Sequence, residues 1–193
     1  VNKVAQRLSE LTGAKYFPHP FGCSQLGDDQ LVTQKVLCGM VNHPNAGGVL
    51  VLGLGCENNN IDEFKKILGT WDENRVKFLN TQDVEDEIEE GVKIINTLKA
   101  YADTFKREPV PVSKLRVGLK CGGSDGFSGI TANPLVGRFC DRLAAMSGSC
   151  IMTEVPEMFG AEHLLMNRCE SREVFEKTVA LINNFKDYYI SHN

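Results

Sequence analysis

Three cysteines each stand just past an apolar, strand-like run: Cys23 in HPFGCSQLGDD, Cys56 in VLVLGLGCENN and Cys121 in RVGLKCGGSDG. In an open parallel α/β sheet, the loops after the carboxyl ends of the strands converge on one crevice, where ligands bind. Thiolates delivered there suit iron, zinc or an iron–sulfur cluster, and three protein ligands leave a position open for substrate or water. Glycines beside each thiol let the backbone approach a bound group. An isolated buried cysteine is usually a small apolar filler. Shared placement separates Cys23, Cys56 and Cys121 from Cys38, Cys140, Cys150 and Cys169. Cys140 shares a helical face with Val136 and Leu143 and reads as core.

Polar groups flank the thiols. His19 lies between Pro18 and Pro20, four residues before Cys23. It reads equally as a base, a metal ligand or a loop histidine, since imidazole transfers protons near neutral pH. Glu57 follows Cys56, Asp125 follows the Gly-Gly-Ser loop, and Glu154 closes the last strand-like run. Each could hold a metal, accept a proton or bind a hydroxyl. A surface carboxylate is normally just solvated, and Glu154 stands out because it ends an apolar run. Gly122 and Gly123 offer backbone amides, and Ser124 a hydroxyl, to a carboxylate or oxyanion. Lys120 and Arg138 could neutralise such an anion. The loop is no phosphate-binding Walker motif, because GK[ST] is missing, and Gly53-Leu54-Gly55 lacks the third glycine of a dinucleotide fingerprint. His43 is expected to close a helix, and His163 and His192 to face solvent.

The elements that must position these groups alternate between helix and strand. Val4, Leu8 and Leu11 predict an amphipathic first helix, followed by a short apolar stretch near Tyr16 and Phe17. Residues 29–42 read as a helix ended by His43-Pro44-Asn45. Val49 to Gly53 reads as a buried strand, 61–69 as a helix and Val76 to Leu79 as a strand. Val84, Ile88, Val92, Ile95, Leu98, Ala102 and Phe105 mark one face of a long helix capped by Asp83 and stopped by Pro109 and Pro111. Leu115 to Leu119 is a further strand. Asn133-Pro134 is expected to open a helix running to Gly148, before a last strand, Cys150 to Val155, and a terminal helix capped by Ser171. The expected fold is one α/β domain over residues 1–193: three layers, with a mostly parallel, Rossmann-like sheet of about five strands and helices on both faces.

Bulk properties narrow the classes. At 193 residues the chain can bury a core without staples. A net charge of −4, with no cationic run, argues against nucleic acid and anionic membrane surfaces as partners. No apolar stretch is long enough to span a membrane. Seven irregularly spaced cysteines without a CxxC pair argue against a zinc ribbon or thioredoxin motif. Reduced thiols and a cytoplasmic location are expected. The chain lacks an initiator Met and is expected to be excised from a longer protein.

Five motifs carry a family resemblance: GCSQLGDD (22–29), HPNAGG (43–48), LGLGCENN (52–59), GLKCGGSDGFSGITANPLVGR (118–138) and TEVPEMFGAE (153–162). Together they resemble the altronate/galactarate sugar-acid dehydratase family across essentially the whole chain, closer to its altronate branch. The resemblance implies a central fragment of a longer enzyme, lacking an N-terminal module and a C-terminal region that would be its intramolecular partner. It implies dehydration of a hexonic acid, D-altronate, to 2-dehydro-3-deoxy-D-gluconate. It also implies iron dependence: Fe(II), with manganese or an iron–sulfur cluster as alternatives. The chemistry explains a metal, because a proton alpha to a carboxylate is weakly acidic and a Lewis acid stabilises the dianion left behind. In this reading Cys23, Cys56 and Cys121 hold the metal. His19, Glu154 and Asp125 are the candidates for proton transfer, and Gly122, Gly123, Ser124, Lys120, Arg138 and Glu57 contact substrate. A homo-oligomer is compatible with it. Alternatives are a galactarate dehydratase, a sulfolactate-type lyase, a Rossmann-type nucleotide-binding domain and a non-catalytic structural domain.

Overall fold

The computed structural model describes residues 1–192, and the chain divides into two compact units, Val1–Arg107 and Glu108–Asn193. The first unit runs α1 (Asn2–Thr12), α2 (Gly27–Val41), β1 (Val49–Gly53), α3 (Ile61–Leu68), β2 (Val76–Asn80) and α4 (Glu87–Ala102). The strands β1 and β2 pair in parallel, Val49 opposite Val76 and Gly53 opposite Asn80, so α3 is the crossover of a βαβ unit. Helix starts follow local capping. The Asn60 side chain accepts the Glu63 amide at 3.0 Å at the head of α3. Asp86 accepts the amides of Ile88 and Glu89 at 2.9 and 2.8 Å at the head of α4. The long helix therefore begins after Asp86 and not at the expected cap, Asp83, which lies in a 3-10 turn, Thr81–Asp83.

Cys38 and Val41 of α2, Phe64 and Leu68 of α3 and Val76 of β2 form the first unit's core, against which Val49, Val51 and Phe78 pack. Alternation along β1 sends Leu50 and Leu52 the other way, and α4 also packs on β1. That packing is close because HPNAGG ends in two glycines. A Cβ on Gly47 would stand 2.9 Å from Ala102 Cβ, and one on Gly48 2.9 Å from Leu98 Cβ. Arg75 fastens the same turn, donating to Ala46 O at 3.0 Å and Val41 O at 2.9 Å. This motif packs α4 closely onto β1.

The second unit runs β3 (Arg116–Leu119), α5 (Ala132–Ala145), β4 (Ser149–Met152), α6 (Glu162–Met166) and α7 (Arg172–Ser191). The strands β3 and β4 pair in parallel, Arg116 opposite Ser149 and Leu119 opposite Met152. The helix α5 starts one residue before Asn133, with Pro134 inside its first turn, where no intrahelical amide bond is lost. Ser171 caps α7 as expected, accepting the Val174 amide at 3.2 Å. Among the described residues of this unit, the buried apolar ones are Leu143 and Ile182, whereas Leu135, Phe139, Ile151 and Met152 are exposed.

The βα alternation is as expected, but the single five-stranded sheet is not. Among the described residues the strands form two separate parallel pairs, β1 with β2 and β3 with β4. The run near Tyr16 and Phe17 forms no strand. It leads into Pro18 and Pro20, which have no backbone N–H for a ladder. Pro109 and Pro111 lie in the irregular stretch after α4, where the first unit gives way to the second. No helix among the described residues is long and apolar enough to cross a membrane.

Candidate functional site

Both units place a thiol after the first strand of their parallel pair. In the first, Cys56 follows β1 in the loop Leu54–Glu57, and its thiol is exposed. The Glu57 carboxylate accepts the amides of Leu54 at 2.6 Å and Gly55 at 2.7 Å. Glu57, expected to contact substrate, thus spends both oxygens closing the loop that presents Cys56. The 3-10 turn after β2 reinforces the loop, because Gln82 N donates to Leu54 O at 3.2 Å. Asn80 Oδ1, at the carboxyl end of β2, is buried without a hydrogen-bond partner.

Cys23 follows no strand; it sits in the irregular segment before α2 with its thiol exposed. The segment is nonetheless bound to the Cys56 side. The Asn58 side chain donates to Cys23 O at 3.2 Å, and Asn59 N to Gly22 O at 3.4 Å. The structure therefore joins the backbones that carry Cys23 and Cys56. His19 is half-buried at an open apolar cleft of about 260 Å³ lined by Phe17, Phe21, Val32 and Val36. Its Nδ1 accepts the Phe21 amide at 3.3 Å, which leaves Nε2 for another partner.

In the second unit Cys121 follows β3 and is half-buried, its Sγ 3.0 Å from Ser124 Oγ. Glu154, just past β4, reaches across the pair. It accepts from Lys120 Nζ at 2.8 Å and from the Cys121 amide at 3.1 Å. The Lys120 ammonium, then the Cys121 amide, hold its carboxyl below the usual carboxylate range. The Lys120 ammonium is pushed up in turn by Glu154. Glu154 also has left-handed backbone, φ 68° and ψ 70°. Such geometry costs a non-glycine residue about 1–3 kcal/mol and persists where surrounding contacts impose it.

Asp125 is committed locally. Its Oδ1 accepts the amides of Phe127 and Ser128, both at 2.9 Å, shaping the turn into α5. Gly122, Gly123 and Ser124 are exposed. Arg138 is exposed on α5, with Asp141 3.7 Å away. Lys120, Cys121, Ser124 and Glu154 thus form one cluster. Cys23, Cys56 and Glu57 lie in the other unit, together with three amides that were not foreseen: Gln34, Asn58 and Asn59. The asparagines were visible as the run after Cys56, but nothing in the sequence marks Gln34 as their partner.

Among the described residues no three His, Cys, Asp or Glu groups converge as a metal cluster. The donor chemistry of the first unit still fits a thiophilic ion, because two exposed thiols stand on segments hydrogen-bonded to each other.

Known proteins show the same division. Residues 1–103 match the family model "D-galactarate dehydratase/Altronate hydrolase, second domain", and 112–193 match "D-galactarate/Altronate dehydratase, C-terminal". The chain is 58% identical to the altronate dehydratase of Bacillus subtilis (strain 168), over 99% of this chain and 40% of that protein. It is 52% identical to the altronate dehydratase of Escherichia coli (strain K12), over 94% and 37%. It is 31% identical to the (2R)-sulfolactate sulfo-lyase subunit beta of Chromohalobacter salexigens, over 95% and 47%. The chain spans about two fifths of the altronate dehydratases it matches. With both units matched in order, the chain belongs to the galactarate dehydratase/altronate dehydratase family.

Proposed function

We propose that this chain serves, as part of a longer enzyme, in the dehydration of D-altronate to 2-dehydro-3-deoxy-D-gluconate. The observation that carries this reading is the identity of 58% and 52% to two altronate dehydratases, against 31% to a sulfo-lyase subunit. Cys23 and Cys56 are the ligand candidates for iron within the first unit, and Cys121 is a separate candidate within the second. Iron, when bound, supplies Lewis acidity toward the substrate carboxylate.

The chain's own groups divide by availability. Gly122, Gly123 and Ser124 offer donors to an anionic oxygen, and Arg138 lends positive charge. Lys120 already carries Glu154, so it binds a carboxylate only by sharing that partner. A carboxyl held well ionised is a weak base toward a carbon acid. His19, with Nε2 uncommitted, is therefore the better candidate for taking the C2 proton, and Glu154 and Asp125 hold geometry. The family's galactarate branch would use the same groups, so substrate choice is decided by assay.

The test uses the longer enzyme containing this chain, purified without oxygen. Iron content and 2-keto acid formation are measured with altronate, galactarate and sulfolactate, then repeated with Cys23, Cys56 and Cys121 each changed to Ala. The reading expects altronate to be the preferred substrate, with iron and activity lost together. Full activity in all three variants would remove the thiols from the mechanism, and preference for another acid would reassign the substrate.

A further inference from the structure

Gln34, on α2, is the one polar or charged residue that is buried among the described residues, 6% exposed. A buried amide adds little net stability over an apolar side chain of the same shape, and in some proteins such groups specify a unique arrangement. Its partner shows what is specified. Gln34 Nε2 donates to Asn59 Oδ1 at 3.0 Å, and one turn earlier Gln30 Nε2 donates to Asn58 O at 3.3 Å. Two glutamines four apart on one helix face thus hold two consecutive asparagines. Those asparagines hold the next segment, Asn59 N on Gly22 O and Asn58 Nδ2 on Cys23 O. Gln25, two residues beyond Cys23, is tied back to α2 by Thr33, whose hydroxyl donates to Gln25 Oε1 at 2.6 Å.

We infer that Gln30, Gln34, Asn58 and Asn59 form an amide lace that positions the Cys23 segment against the Cys56 loop, so that the two exposed thiols act as one pair. None of the four need touch substrate; they are positioning residues. Without the lace, Cys23 would ride on a proline-flanked segment with no strand to fix it. The inference deepens the proposed function, from which it takes the role of the pair as ligands, but its geometry is testable without metal or substrate.

The test is cross-linking of the reduced, metal-free chain with a short bifunctional maleimide, followed by mass-spectrometric quantification of the Cys23–Cys56 link. Two variants accompany it: Asn58→Asp, which keeps the shape and removes the donor, and Gln34→Met, which keeps the length and removes the amide. The expected result is a link in the native chain that falls about fivefold in each variant, the scale of one hydrogen bond. Single labelling of Cys23 and Cys56 should stay unchanged, and buried Cys38 should stay unlabelled, which reports an intact fold. Should Gln34→Met expose Cys38, the exposed position Asn58 decides alone. Absence of the link in the native chain, or undiminished linking in Asn58→Asp, overturns the inference. An intact pair in an enzyme that binds no iron would remove the thiols' proposed ligand role and leave the lace standing.

Discussion

Glu154 and Lys120 form a salt bridge, Oε1 to Nζ 2.8 Å, that joins the second residue after β4 to the residue after β3. The folded carboxyl titrates below its unfolded value, with Lys120 the first cause and the Cys121 amide the second. The stability it contributes is fully present above the unfolded pKa and is lost as pH falls through the depressed folded pKa. Lys120 titrates above its ordinary value, so its share is lost only as pH rises through that raised value. Glu154→Gln should flatten both limbs. Thermal unfolding across pH checks this, and curves for variant and native chain that run parallel throughout would refute it.

Glu57 should act on Cys56 through the loop. Replacing it with Ala frees the amides of Leu54 and Gly55. Hydrogen bonds to a charged acceptor contribute about 1.5–3 kcal/mol each, and water repays part of that at this half-buried site. The expected outcome is a loss of about 2 kcal/mol in denaturant unfolding, with faster alkylation of Cys56 and an unchanged rate at Cys121. An unchanged Cys56 rate would mean the loop holds its form without the clamp.

Gly48→Ala should damage the first unit where β1 meets α4. Its new methyl would press on Leu98, which is buried on α4. Overpacking of this kind costs about 1–3 kcal/mol. A shift in the urea midpoint with native labelling of Cys23 and Cys56 is expected, and no shift would show that α4 withdraws freely.

Hydrogen exchange should rank the two units. Among the described residues, nine buried apolar ones belong to the first and two to the second. Local opening is easiest where few apolar contacts are buried. In the intact chain the slowest amides should lie in β1, β2 and α4, and those of β3 and β4 should exchange sooner. Equal protection would show that the exposed Ile151 and Met152 are covered in solution.

The alternation of elements was legible because each run carries its own period: Val49–Gly53 is continuous and apolar, while Val4, Leu8 and Leu11 in α1 and Val92, Ile95 and Leu98 in α4 repeat at helical spacing. Strand partnership was not, since pairing depends on tertiary contacts that no local pattern encodes. Counting strands led to one sheet where the chain builds two pairs. Cys56 and Cys121 were placed correctly after strands, while Cys23 was misjudged because Pro18 and Pro20 were read as flanks and not as breaks. The carboxylates were legible by type but not by task. Glu57 and Asp125 each turn inward to their own backbone, a choice set by loop geometry.

Exposure also orders how the thiols age. Cys23 and Cys56 face solvent, whereas Cys38 is buried and burial pushes its thiol up. Oxidation follows access and thiolate character, so air should consume the proposed ligand pair while leaving the core cysteine intact. A sample could then keep its fold and its melting curve while losing the two sulfurs on which the proposed chemistry depends. A free-thiol count resolved by residue is therefore a better certificate of a competent preparation than a measure of folding.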